Sequence, residues 1–132
     1  SQMDKEVYSF ALKNALTEIR GVCPEVECSF LFDRDGTIIT KDAKSSEVSV
    51  EGFMKSFEEM SEKASVIGGF KSLVIEGDNK KLIVSPMNSN IHLAMLVDKR
   101  ADMRYVQAVT NAIIPTMLRL LENLAPAPLK WG

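Results

Sequence analysis

Two carboxylates one residue apart, Asp33 and Asp35, follow the apolar run Phe30-Leu31-Phe32 and precede Gly36-Thr37-Ile38. Carboxylates so placed at the end of a strand can divide labour. One acts as nucleophile and the other as general acid and base, with a divalent cation offsetting the charge between them. The same residues, Asp33-Arg34-Asp35-Gly36, also make a favoured hairpin turn, because Asp and Gly tolerate the backbone angles that reverse a chain between two strands. The remaining reactive side chains are sparse. Cys23 and Cys28 lack the second ligand pair of a zinc site, and His92 is the only histidine and lies far along the chain. Reduced structural cysteines and a structural histidine are the expectation.

Residues 30–38 match the first motif of the haloacid dehalogenase-type phosphatases, an apolar strand followed by D-x-D-G-T. That resemblance implies attack on phosphorus by Asp33, proton transfer by Asp35 and a bound Mg²⁺. It also implies a Ser or Thr ending a second strand, a separate Lys and a late acidic pair. The late acidic stretch here is only Glu76-Gly77-Asp78, followed by Asn79-Lys80-Lys81. The strands around it read as an antiparallel meander, not as the parallel, doubly wound sheet such a site requires. The turn reading is therefore preferred, and the phosphatase is kept as a remote alternative. A calcium loop is set aside because no Glu closes it.

The elements that position these residues follow from periodicity. Tyr8, Ala11, Leu12, Ala15, Leu16 and Ile19 recur at three and four, which predicts a helix over 4–20 with Asp4 as N-cap and Gly21 as terminator. Residues 26–32 alternate as a strand, and 37–40 form its hairpin partner. Residues 41–47 are polar and predict a loop ending at Ser49, the N-cap of a second helix. Val50, Phe53, Met54, Phe57, Met60, Ala64 and Ile67 form that helix's apolar face, and Gly68-Gly69 stop it. Strands over 70–76, 81–86 and 91–98 make a meander. From Asp102 as N-cap, Val106, Val109, Ile113, Met117, Leu120 and Leu124 continue one stripe through Pro115, which predicts a kink without a break. Pro126 and Pro128 then favour an extended tail over 125–132. The expected organisation is one α+β domain over 4–124 and that tail.

Composition excludes several classes of function. The 132 residues suffice for one core without disulfide or metal staples, and 45% hydrophobic with 26% charged residues is ordinary globular usage. A formal net charge of -2 lacks the clustered Lys and Arg that a nucleic-acid backbone requires. No apolar run approaches the roughly 18 residues of a membrane span, and the polar start lacks a signal peptide's order. The cytoplasm is the expected location.

The order of elements, with residues 32–39, Leu73-Val74-Ile75-Glu76-Gly77, residues 81–86 and Leu93-Ala94-Met95-Leu96-Val97-Asp98, resembles the Roadblock/dynein light-chain family over residues 4–124. The resemblance implies a five-stranded antiparallel sheet of order 2-1-5-4-3, the Roadblock, longin and profilin-like architecture. The first and last helices would cover one face and the middle helix the other. It further implies a dimeric, non-catalytic adaptor or regulator without cofactor that binds a small Ras-like GTPase. Its members are subunits of dynein, of lysosomal scaffolds for Rag GTPases and of prokaryotic complexes regulating Ras-like GTPases. A structural light-chain subunit and a small-ligand sensor are the alternatives.

In that strand order the sheet has two free edges. Thr37 to Lys41 is short and flanked by a polar loop. Phe70, Lys71, Ser72, Leu73, Val74 and Ile75 form a more apolar edge with only Lys71 to deter pairing. The second edge is therefore the expected dimer interface, with Phe53, Phe57 and Met60 of the middle helix packed near it. Glu51, Lys55, Glu58, Glu59 and Glu62, on that helix's outer side, are the expected partner-binding residues.

Overall fold

A computed structural model describes residues 2–43 and 50–124 of the chain. The elements run α1 (Gln2–Val22), β1 (Val26–Asp33), β2 (Ile38–Ala43), α2 (Val50–Ser65), β3 (Leu73–Glu76), β4 (Lys80–Pro86), β5 (Ile91–Asp98) and α3 (Met103–Leu124). The five strands form one antiparallel sheet of order β2-β1-β5-β4-β3, as the resemblance implied. No helix among the described residues is long and apolar enough to cross a membrane.

Two cores hold the layers together. Leu12, Leu16 and Ile19 of α1 meet Val106, Met117 and Leu121 of α3 over Val26, Leu31, Ile91, Leu93, Met95 and Val97. On the opposite face, Phe57 packs on Cys28, Phe30, Phe32, Val84 and Ala94, with Phe53, Phe70, Leu73 and Leu96 around them. β5 shows how period-2 alternation divides the faces, since Leu93, Met95 and Val97 go to the first core and Ala94 and Leu96 to the second. Both faces of β1 and β5 are covered, so these strands are apolar almost throughout. Cys23 and Cys28 are free and buried, and burial pushes both thiols up, away from the reactive thiolate.

Several boundaries differ from those expected. α1 begins ahead of Asp4, which lies in its first turn, and runs through Gly21 to Val22. It ends because Pro24 disfavours helical angles at Cys23, whose N–H still donates to the Ile19 carbonyl at 2.8 Å. β2 continues through Lys41, Asp42 and Ala43, which were expected in a loop. The cause is tertiary: Asp42 is buried against α1, where Arg20 Nε donates to it at 2.6 Å and Thr17 Oγ1 at 3.0 Å. α2 stops at Ser65, and the Val66-Ile67-Gly68 turn closes through Gly69 N–H to the Ala64 carbonyl at 2.9 Å, with Gly68 and Gly69 at φ 90° and 94°. Ile67 therefore leaves the apolar face where periodicity put it and is exposed. α3 starts as expected: Asp102 Oδ1 accepts from Arg104 N–H at 3.0 Å and Tyr105 N–H at 3.4 Å, and the helix continues past Pro115. Ser49 as N-cap and the 125–132 tail lie outside the described residues.

Candidate interaction surface

α2 sits on the sheet through an aromatic cluster. Phe53 meets Phe30 edge-on at 5.3 Å and Phe32 at 6.2 Å between ring centroids, and Phe57 meets Phe32 at 5.0 Å and Phe70 at 5.9 Å. Such edge-to-face pairs each add about 0.5–1.5 kcal/mol beyond the area they bury. Phe57 is only 6% exposed and belongs to the chain's own core, while Phe53 and Met60 are half-buried. Of the three aromatic and Met positions expected near a dimer contact, Phe53 and Met60 thus keep surface for a partner.

The expected apolar edge is shorter than the sequence implied. β3 holds Leu73, Val74, Ile75 and Glu76, paired to Val84, Ile83, Leu82 and Lys81 of β4, with no strand on its outer side among the described residues. Phe70, Lys71 and Ser72 precede it. Phe70 turns inward against Phe57 and His92, which takes the chain off the line of the edge. The opposite edge, β2, has six residues against four, so the length contrast expected between the two edges is reversed. The difference that remains is chemical. β2 shows a charged Lys41, and a register shift in its ladder falls between Leu31 and Phe32 of β1, two features that blunt an edge. β3 shows Val74 at 51% exposure and Ile75 at 39%. Val66 and Ile67, exposed in the turn after α2, add apolar surface that the sequence reading assigned to no surface. Their signal was the Gly68-Gly69 pair, which ends the helix early enough to release them.

On the other flank of α2 a groove of about 710 Å³ separates the helix from the β1–β2 turn. Asp33, Arg34, Asp35 and Gly36 form one wall, and Lys55, Glu58, Ser61 and Glu62 the other. The structure thereby joins the acidic turn to three of the expected partner-binding residues. Glu59 is exposed but does not line the groove, and the side chain of Glu51 lies outside the described residues. Asp33 is engaged in the turn itself: its Oδ1 accepts from Asp35 N–H at 2.9 Å and Thr37 N–H at 3.0 Å, and its carbonyl accepts from Gly36 N–H at 3.0 Å. Gly36 takes φ 84°, the left-handed angle the turn needs. Among the described residues no three His, Cys, Asp or Glu side chains gather as a metal would require. With the sheet antiparallel throughout, the fold is not the doubly wound one in which the phosphatase motif operates.

His92 occupies the seam between sheet and α2. Its ring stacks on Phe32 at 5.2 Å and 15° and lies 5.4 Å from Phe57 and 6.2 Å from Phe70. Burial pushes its pKa below the ordinary 6.5, because the protonated ring is disfavoured out of water. The native state therefore binds fewer protons than the unfolded chain just below pH 6.5. The stability so conferred is complete above that value and is lost as the pH falls toward the folded pKa. Since His92 is the only histidine, urea midpoints measured down through this window should fall for the wild type and stay flatter for His92→Phe. Parallel curves would remove His92 from this role.

No family model and no curated protein matches the sequence. Solved structures do match. MglB of Myxococcus xanthus aligns at TM-score 0.74 and 17% identity over 86% of this chain and 97% of its own. A Roadblock/LC7 domain from Streptomyces avermitilis aligns at 0.71 and 17%, over 83% and 96%. LokiProfilin2, solved in complex with rabbit actin, aligns at 0.62 and 14%, over 83% and 97%. At these identities the likeness is one of fold, and the fold is that of the Roadblock domains.

Proposed function

We propose that this chain, which has the Roadblock fold, is a self-pairing, non-catalytic adaptor of the cytoplasm that docks a small Ras-like GTPase. The observation that carries the reading is the outer edge of β3, where Val74 and Ile75 stand exposed on a strand whose outer N–H and C=O groups have no ladder partner among the described residues. Continuing the sheet across a two-fold axis satisfies those groups, brings Val74 and Ile75 beside the partner strand on their respective faces and sets two α2 helices side by side. Phe53 and Met60, half-buried in the single chain, are the α2 residues assigned to that contact, with Lys71 and Ser72 at its rim.

The GTPase is assigned to the outer side of the paired α2 helices and to the acidic groove beside them. Lys55, Glu58, Glu59 and Glu62 are exposed there, and Asp33 and Asp35 add carboxylates across the groove. A partner with a basic face is complementary to this surface. The test is to recover the GTPase from native lysate and measure its affinity for wild type and for Glu58→Lys with Glu59→Lys. The double reversal should weaken binding by about tenfold at low salt and less at high salt, because rim charges are screened. Unchanged affinity at both salts would place the docking site elsewhere.

A ligand-sensor reading has one observation in its favour. A recess of about 540 Å³ beside α2 is lined by Ser61, Ser65, Phe70, Pro86, Asn88 and His92, and no described side chain pairs with the buried Nδ1 of His92. A small molecule bound in stoichiometric amount to the purified protein would favour that reading over the adaptor.

A further inference from the structure

α1 and α3 cover the face of the sheet opposite α2, and their outer surface differs in chemistry from that of α2. On α2 the exposed positions Lys55, Glu58, Glu59 and Glu62 are charged. On α3, residues 105–118 include no Asp, Glu, Lys or Arg, in a chain of which 26% is charged. Tyr105, Gln107, Ala108, Asn111, Ala112 and Thr116 are exposed within that stretch, so the neutrality extends to positions that face solvent. Depletion of charge around exposed aromatic residues marks the centre of a contact surface.

Between the two helices runs a groove of about 660 Å³. It extends from Ala11 to Val22 on α1 and from Val109 to Leu120 on α3, which at about 1.5 Å per residue is about 16 Å, or three helical turns, along each wall. Ala11, Ala15 and Ala112 are short enough to leave the space, while Ile19, Ile113 and Leu120 make it apolar. Past the end of the groove at Ala11, Met3, Val7 and Phe10 recur at four and three along α1 and are all exposed, Phe10 by 68%. Single exposed apolar residues need no explanation, but a row of three continuous with an apolar groove does.

The walls also determine what can fill the groove. Both are helices, whose backbone N–H and C=O groups are engaged along their own axes, and the polar side chains of the lining are Asn14, Glu18 and Thr116. The Thr116 hydroxyl already accepts from Arg119 Nη2 at 3.2 Å. An extended peptide laid here would find no ladder of donors and acceptors, and unpaired backbone groups against apolar walls are strongly disfavoured. A helix arrives with its backbone already paired, and the alanine side chains let its axis come close. Among the described residues Glu18 is the one charge in the lining, so a Lys or Arg at the edge of the incoming helix is complementary to it.

We propose that the α1/α3 groove docks an amphipathic helix of a second protein. The helix is about three turns long, apolar at i, i+3 or i+4 and i+7, with Lys or Arg beside that stripe. Val7 and Phe10 continue the contact for a longer helix. The groove lies across the sheet from α2, so it fills independently of β3 pairing and of a GTPase on the α2 side.

The test uses a displayed library of helix-forming peptides of about four turns, depleted on the Ala112→Arg chain and then selected on the full wild-type chain. The recovered peptides should share an apolar stripe with a basic edge, and a fluorescein-labelled member should bind one to one by anisotropy. Thr116→Arg, a separate change that fills the groove from α3, should weaken it at least tenfold. Glu18→Lys should weaken it several-fold at low salt and less at high salt. These substitutions replace exposed residues, and unchanged far-UV circular dichroism and urea midpoints verify that the fold is kept. A central proline in the peptide should remove binding by breaking its helix. A selection that returns no peptide would overturn the proposal. So would a peptide that keeps its affinity for Thr116→Arg, which places it outside the groove, or a proline version that binds as well as its parent, which makes the occupant extended.

Discussion

Replacing Phe57 by alanine lowers the stability of the fold by about 3–5 kcal/mol, the cost of truncating a buried aromatic that its surroundings cannot refill. Phe57 joins α2 to the sheet, with rings of Phe32, Phe53, Phe70 and His92 all within 6.0 Å of its own between centroids. Truncation leaves a cavity in the core between α2 and the sheet, where Phe57 is, among the described residues, the fully buried side chain of α2. The loss should extend to function, because α2 carries the outer-face charges and flanks the proposed dimer contact. Phe57→Leu, which keeps most of the volume, should cost much less, about 1.5 kcal/mol. Denaturant midpoints for the three proteins check the order. A Phe57→Ala variant as stable as Phe57→Leu would mean that α2 is held by something other than this cluster.

The second large effect is expected at the contact between α1 and β2. Arg20 donates to both oxygens of Asp42, through Nε at 2.6 Å and through an Nη at 3.0 Å, and Thr17 adds a third donor. The partners are unequally buried, with side-chain exposures of 31% for Arg20 and 7% for Asp42. Removing Arg20 therefore leaves a buried carboxylate with one hydroxyl, whereas removing Asp42 leaves a guanidinium that can turn to water. Breaking a fully buried pair costs about 3–5 kcal/mol. With one partner a third exposed, solvent screening reduces this, so Arg20→Ala should cost about 2–3 kcal/mol and Asp42→Ala about half of that.

The pair also has a pH signature. The hydrogen bond from Arg20, more than any other contact, holds the Asp42 pKa below its ordinary 3.8. The native state then binds fewer protons than the unfolded chain. The stability it contributes is present above pH 3.8 and is lost as the pH falls through the folded value. In Arg20→Ala, burial acts on Asp42 without that hydrogen bond, so the acid limb of the stability curve should move to higher pH. Urea titrations of wild type and variant across this range check it. An unshifted acid limb would contradict the assignment.

The folding pattern was legible wherever a local signal agreed with the tertiary context. The Asp33–Gly36 turn, the β4–β5 meander and the Asp102 cap each satisfy local rules and appear where those rules put them. β2 did not end where polarity suggested, because Asp42 is a polar residue made a core residue by a partner on another element, and Arg20 lies 22 positions away. β3 did not extend to Phe70, because the apolar side chain that reads as strand serves the α2 core. The groove that unites Asp33 and Asp35 with Lys55, Glu58 and Glu62 could not be read from spacing at all, since a hairpin turn and a helix meet there only in the folded layers. The outward placement of Lys55, Glu58, Glu59 and Glu62 was legible, because an amphipathic helix that buries Phe53 and Phe57 has no other side on which to put charge.

Self-pairing through β3 is the central claim, and light scattering over a concentration series tests it most directly. The wild type should have twice the mass of one chain and dissociate only on dilution. Val74→Lys with Ile75→Lys, which replaces two exposed residues and so leaves the fold intact, should have the mass of one chain at the same concentrations. A wild type with the mass of one chain at every concentration, or a double variant that pairs as tightly as the wild type, would contradict the account.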